Sequence, residues 1–119
     1  MKTVYEKNGN GVNLIQDTDI VSENNFIKFP DGTLICRGTF GINGNGEITG
    51  SLHVNFPAEF INTPSIAITN IYAYKLNIIW SISTVDNYSF IPYFHSTDGS
   101  PPTSGQIVSA DYIAIGRWK

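Results

Sequence analysis

Asn25-Phe26-Ile27-Lys28-Phe29-Pro30-Asp31-Gly32-Thr33-Leu34-Ile35-Cys36-Arg37-Gly38-Thr39-Phe40 is the stretch that decides the fold class of this chain. Two runs of β-branched, aromatic and aliphatic residues flank Pro30-Asp31-Gly32. Proline presets φ at the second position of a turn, and glycine supplies the positive φ that closes it. The stretch therefore reads as a hairpin, Asn25–Phe29 returning as Thr33–Phe40. Alternation along the second strand places Leu34, Cys36 and Gly38 on one face and Ile35 and Arg37 on the other.

The same grammar runs downstream. Gly41-Ile42-Asn43-Gly44-Asn45-Gly46 reads as a loop, because its glycines disfavour regular pairing. Leu52, Val54 and Phe56 alternate with His53 and Asn55, and Pro57 and Pro64 bracket a short crossover. Ser65–Tyr72 and Leu76–Thr84 are further strands, the second with Ile78, Trp80 and Ile82 on one face. Val85-Asp86-Asn87 turns into Tyr88–His95, Ser96–Gly105 is irregular, and Gln106–Arg117 is the last strand. No segment has a helical period. The expectation is an all-β fold, an antiparallel β-sandwich of six to seven strands or a barrel. Residues 24–119 form that domain. Residues 1–23, with Asn8-Gly9-Asn10-Gly11, read as an approach segment at the end of a stalk.

Composition narrows the function. The chain has 119 residues, the size of one domain. Charged residues make up only 14%, against ~25% in ordinary soluble domains. A polar, weakly charged surface suits a neutral, hydroxyl-rich ligand, or a crowded oligomer. Net charge is −3 and the basic residues are scattered, which argues against nucleic acid. No apolar run approaches the ~20 residues of a membrane span, so membrane insertion is not expected. Cys36 is the one cysteine. Its apolar neighbours Leu34 and Ile35 make it inert core.

Catalytic patterns are missing. His53 and His95 are too far apart in sequence for a zinc-site spacing, and no HExxH, CxxC, EF-hand loop, GxSxG elbow or Walker A motif occurs. No metal or other cofactor is expected. Glycoside hydrolysis needs two converging carboxylates, and Asp31, Asp86, Asp98, Asp111, Glu47 and Glu59 each lie in turn or strand-edge sequence. The chain reads as a binder, not an enzyme.

Three ordered blocks carry a family resemblance. They are Asn25–Cys36, Val54-Asn55-Phe56-Pro57-Ala58-Glu59-Phe60-Ile61-Asn62-Thr63-Pro64, and Tyr112-Ile113-Ala114-Ile115-Gly116-Arg117-Trp118. Together they resemble the C-terminal receptor-binding tip domain of bacteriophage tail fibres. The chain departs from that pattern at Phe26, where the family has glycine. The resemblance implies an H-type-lectin-like β-sandwich, a homotrimer at the distal end of a virion's tail fibre, and an upstream fibre shaft. It also implies adsorption to the bacterial host, commonly through cell-surface glycan. The segment from Tyr72 to Gly105 matches no block and is where receptor specificity is expected to vary. A structural tip that only trimerises, or a polysaccharide hydrolase, are the competing readings.

Sugars stack C–H faces on aromatic rings and pair hydroxyls with short polar side chains. Four places combine those features: Tyr72 with Tyr74, Trp80, Tyr93 and His95 with Asp98, and His53 with Asn55. Trp80 and Phe90 read better as core. Trp118 reads as structural, at the base or a subunit interface. Arg37 and Arg117 read equally as partners for carboxylates between subunits and as solvated strand charges. Ile35, Ile79, Ile91 and Ile113 point away from the core face of their strands and hint at burial in an oligomer, or at strands covered on both faces within the monomer.

Overall fold

The computed structural model describes residues 20–73 and 77–119. Its strands are β1 (Val21–Ser22), β2 (Phe26–Lys28), β3 (Thr33–Asn43), β4 (Thr49–Ser51), β5 (Val54–Asn55), β6 (Ser65–Ala73), β7 (Ile78–Val85), β8 (Ser89–Ser96) and β9 (Ile107–Arg117). All pairings are antiparallel. One sheet has the order β1-β2-β3-β9-β6; in the other, β7 lies along one edge of β8, and β4 and β5 share the opposite edge. The fold is an all-β sandwich. Alternation predicted six or seven strands, and the additional ones (β1 and β4) are pieces of two or three residues, too short to alternate visibly. The approach segment lies outside the described residues up to residue 19, and Val21–Ser22 joins the first sheet beside Ile27 and Lys28.

Two expectations are corrected. Gly41-Ile42-Asn43 is strand, not loop: β3 continues through it, paired with Ser109, Val108 and Ile107. The long partner β9 supplies the ladder that glycine's weak strand propensity lacks. Conversely, the strand expected over Leu52–Phe56 shrinks to Val54–Asn55, although Leu52, Val54 and Phe56 do face the core and His53 and Asn55 do not.

Pro92 explains that shrinkage. It sits inside the central strand β8, where it has no N–H to donate. Its carbonyl accepts from Leu52 N at 3.4 Å, so the missing donor faces the same edge, between β4 and β5. On the opposite edge the register of β7 shifts between Ile82 and Thr84, beside Pro92 and Ile91. The interruption leaves His53 between two short strands instead of within one.

The core lies between the sheets. Leu34, Cys36 and Phe40 of β3 and Val108, Ala110, Tyr112 and Ala114 of β9 face Trp80, Phe90 and Phe94. Phe40 meets Trp80 edge-on at 4.9 Å between centroids, Phe90 meets Tyr112 at 4.9 Å, and Phe56 stacks on Phe90 at 5.5 Å. Such pairs add about 0.5–1.5 kcal/mol each beyond area burial. Large rings need small neighbours. Gly38 stands opposite Tyr112, and a Cβ there would lie 2.7 Å from Tyr112 Cε1; Gly50 likewise stands opposite Phe94. Trp80 and Phe90, read as core, are 7% and 1% exposed.

The β2–β3 hairpin closes as its sequence demands. Gly32 has φ 101°, Gly32 N donates to Phe29 O at 3.0 Å, and Asp31 Oδ1 accepts Thr33 N at 2.8 Å. The C-terminus then locks onto this turn. Trp118 N donates to Gly32 O and Trp118 Nε1 to Phe29 O, both at 2.8 Å, while Arg117 Nη2 donates to Asp31 O at 2.6 Å.

Candidate functional site

Strand direction gives the domain two distinct ends. β3 starts at Thr33, beside Arg117, and finishes at Asn43, beside Ile107. Call the Gly32–Trp118 end the near end. β1 pairs with Lys28, so the chain also enters the domain there. All three motif blocks meet at this end. Ile61 N donates to Arg117 O at 2.9 Å, Phe60 lies against Gly116, and Cys36 Sγ donates to Ala58 O at 3.8 Å. Lys28 and Lys119 flank the Trp118 ring, their Nζ atoms 5.3 and 4.9 Å from its centroid. Burial pushes the Cys36 thiol up to about 11, so it stays protonated near neutral pH.

The far end is made of loops stitched to one another. Gly44 N donates to Gln106 O, Gly46 N to Pro102 O, Ser96 N to Ile48 O, and Thr97 N to Asn77 O, at 2.8–2.9 Å. Asp98 is the hub of this end. Its Oδ1 accepts Ser100 N at 2.9 Å and Ser96 Oγ at 3.1 Å, and its Oδ2 accepts Asn77 Nδ2 at 3.2 Å. The Ser100 N–H leads the groups that hold its carboxyl below the usual range. Asp98 therefore orders the loop more than it offers lone pairs to a ligand.

The second sheet's outward face carries half of the candidate residues expected from sequence: His53, Tyr93 and His95. Along β8, Tyr93 and His95 point outward, alternating with buried Phe94 and Ser96. Register sets them in rows: Thr49, His95 and Ile79 in one; Ser51, Tyr93 and Ser81 in the next. His53, exposed in the break before β5, extends the same side toward the near end. The face thus combines an aromatic ring 38% exposed, imidazoles, three small hydroxyl side chains and Ile79 at 55% exposed. Those rows contain no carboxylate, lysine or arginine.

The other sequence candidates are placed elsewhere. Tyr72 is 54% exposed on β6, beside Ser109 in the first sheet, and does not join Tyr93 and His95. Tyr74 lies outside the described residues. The outward face of the first sheet has a different character. Ile27, Ile35 and Ile115 run side by side across β2, β3 and β9, with Ile113 beside Arg37 one row on. Next comes a polar basin that the sequence reading missed. Asp111 Oδ1 accepts Thr39 Oγ1 at 2.8 Å and its Oδ2 accepts Asn70 Nδ2 at 3.1 Å. Asn70 belongs to a register shift in β6, between Ile68 and Ile71, that alternation does not reveal.

Four aspartates, Asp31, Asp86, Asp98 and Asp111, share one electrostatic state. Each accepts hydrogen bonds from nearby backbone or side chains, and each carboxyl is lowered below its ordinary value, led by Thr33, Tyr88, Ser100 and Asn70 respectively. A glycosidase acid needs the opposite shift, a carboxyl kept protonated near neutral pH. Each is tied into local hydrogen bonds that order its own turn or strand.

Among solved structures, the chain is similar to an N-truncated R1-type pyocin tail fibre. The TM-score is 0.64 at 14% identity, over 82% of this chain and 83% of that one. It is similar at the same TM-score and identity to a C-terminal fragment of the P. aeruginosa R1 pyocin fibre, covering 27% of that chain. The tailspike gp61 of Pseudomonas phage phi297 matches at TM-score 0.57 and 10% identity, over 71% of this chain and 16% of the tailspike. The chain thus spans a small part of the tailspike and nearly all of the truncated pyocin fibre. No protein-family model and no curated protein matches it. At these identities the likeness concerns fold alone.

Proposed function

We propose that this domain is the receptor-binding tip of a phage-type tail fibre, attaching the particle to cell-surface glycan of its bacterial host. The observation that carries the reading is the division of labour between the two ends. The residues that resemble tail-fibre tips weld the near end, where the chain enters, into one hydrogen-bonded unit. The unmatched segment, Tyr72 to Gly105, builds β7, β8 and much of the far end. A shaft-proximal base and a shaft-distal variable surface are what a fibre tip requires. The likeness to pyocin tail fibres and a phage tailspike supports the same role.

Glycan would be taken on the outward face of the second sheet, with Tyr93 as the stacking ring and His53, His95, Ser51 and Ser81 as hydrogen-bonding partners. A lectin-like activity of this kind matches the H-type-lectin resemblance. The domain would act as a homotrimer through the isoleucine face of the first sheet, because several weak sites on one rigid body multiply effective affinity. That arrangement leaves the second sheet outward and free. The test is saturable binding of the purified chain to bacterial cells and to a glycan array. Tyr93→Ala and His95→Ala should abolish it without changing the thermal melt. A folded trimer that binds no cell and no glycan would instead favour a purely structural tip, and release of reducing sugar would favour a hydrolase.

A further inference from the structure

Arg37 and Asp111 lie on the first sheet's outward face as diagonal neighbours, since Arg37 is paired with Ile113 and Thr39 with Asp111. They do not serve one another. Asn70 and Thr39, not Arg37, are the groups that lower the Asp111 carboxyl. Arg37 stands instead as a ridge between two hollows. One, of about 320 Å³, is the Asp111 basin, lined by Asn25, Thr39, Thr69 and Ile113. The other, of about 270 Å³, is lined by Glu23, Phe26, Ile27 and Ile35. A basic side chain beside a basin of opposite charge, at the edge of an isoleucine patch, has the charges to pair with a second copy of this face.

Burial makes this complementarity matter. If the isoleucine face is the trimer contact, as proposed above, the guanidinium and the carboxylate leave water together and must be paired. In a cyclic assembly each residue meets a different patch of the next copy. Asp111 has spent one lone pair on each of two neutral donors, and an ionised carboxylate has about four such sites.

We infer that Arg37 of each copy enters the Asp111 basin of the neighbouring copy, so that identical charge pairs around the axis fix the rotational register of the trimer. The inference rests on the isoleucine-face trimer, and its test separates the two. The full chain, Arg37→Asp, Asp111→Arg and their mixture are compared by sedimentation equilibrium, with circular dichroism to check folding. Asp111→Asn, close in shape, serves as a second variant in case the reversal disturbs Thr39 and Asn70.

The unaltered chain should be a trimer, and each charge variant should fold yet weaken assembly by about 30-fold or more, as for truncation of one partner of a buried charge pair. Mixing Arg37→Asp chains with Asp111→Arg chains should restore assembly in part, because two of the three contacts in any mixed trimer join unlike copies and regain opposite charges, while the third stays like-charged. A wild-type trimer with no rescue on mixing overturns the cross-subunit pairing while leaving the isoleucine-face trimer standing; Arg37 would then serve Glu23 of its own chain. A wild-type monomer overturns the trimer itself, and the pairing with it.

Discussion

Replacing Ile113 and Ile115 together by asparagine separates assembly from folding. Ile113 is 39% exposed and Ile115 49% exposed, so under half of each side chain is left for a partner to cover. Complete burial of such a side chain stabilises by about 1.5–3 kcal/mol, which leaves roughly 1 kcal/mol per isoleucine to be gained on assembly. Two per copy in a trimer make about 6 kcal/mol, or about four orders of magnitude in the assembly constant. Buried, unpaired amides would add to that loss. Within one copy, the substitutions forfeit contacts of the halves already covered, roughly 2 kcal/mol of a typical 5–15 kcal/mol. The double variant should therefore remain a folded β-domain and become monomeric. Sedimentation velocity over a hundredfold concentration range, paired with circular dichroism melts, reads both quantities. A double variant that stays trimeric with an unchanged concentration dependence would refute the assignment of this face.

Three other outcomes follow from the core and the turns. Gly38→Ala should cost about 1–3 kcal/mol in urea unfolding, because a Cβ there lies 2.7 Å from a Tyr112 ring pinned against Phe90; a change near zero would show that the ring can move aside. Cys36 should resist a thiol reagent at pH 8 in the native protein and react fully in denaturant, since burial raises its thiol to about 11; native-state labelling would contradict its placement. The four lowered aspartates set the acid limb of stability. Their folded values lie below the unfolded value of 3.8, so their contribution is complete above 3.8 and is lost as pH falls through the folded values. Urea midpoints should decline below about pH 4, and a midpoint that rises on acidification would reverse the sign of this account.

Much of the fold was legible because its signals are local. The Pro30-Asp31-Gly32 turn, the Leu34–Cys36 face and the buried positions of Trp80 and Phe90 all follow from turn chemistry and alternation within a few residues. What failed was set by partners distant in sequence. Gly41–Asn43 looks like loop by itself and becomes strand because β9 is long enough to pair with it. Leu52–Phe56 looks like a full strand and is cut short opposite Pro92, almost forty residues further on. Pro92 was visible in the sequence, but its effect appears only once β8 is known to be central.

The candidate site divides in the same way. Tyr93 and His95 share a face because they are two residues apart on one strand, which sequence alone can say. That Thr49, Ser51 and Ser81 flank them depends on register across three strands. Asp98 carried the right residue type for a sugar contact, and three of the sites on its oxygens are taken by Ser96, Ser100 and Asn77. The Asp111 basin escaped notice because it joins Thr39, Asn70 and Asp111 from three strands, one of them irregular.

The central claim is that host glycan is bound on the outward face of the second sheet, away from the near end where the chain enters. A crystal structure of the full chain with the strongest glycan-array hit tests it most directly. The account predicts a sugar ring stacked on Tyr93, with hydroxyls reaching His95, Ser51 and Ser81. A saturable glycan seated instead on Trp118 and Lys28 at the near end, or on the isoleucine face of the first sheet, would contradict it.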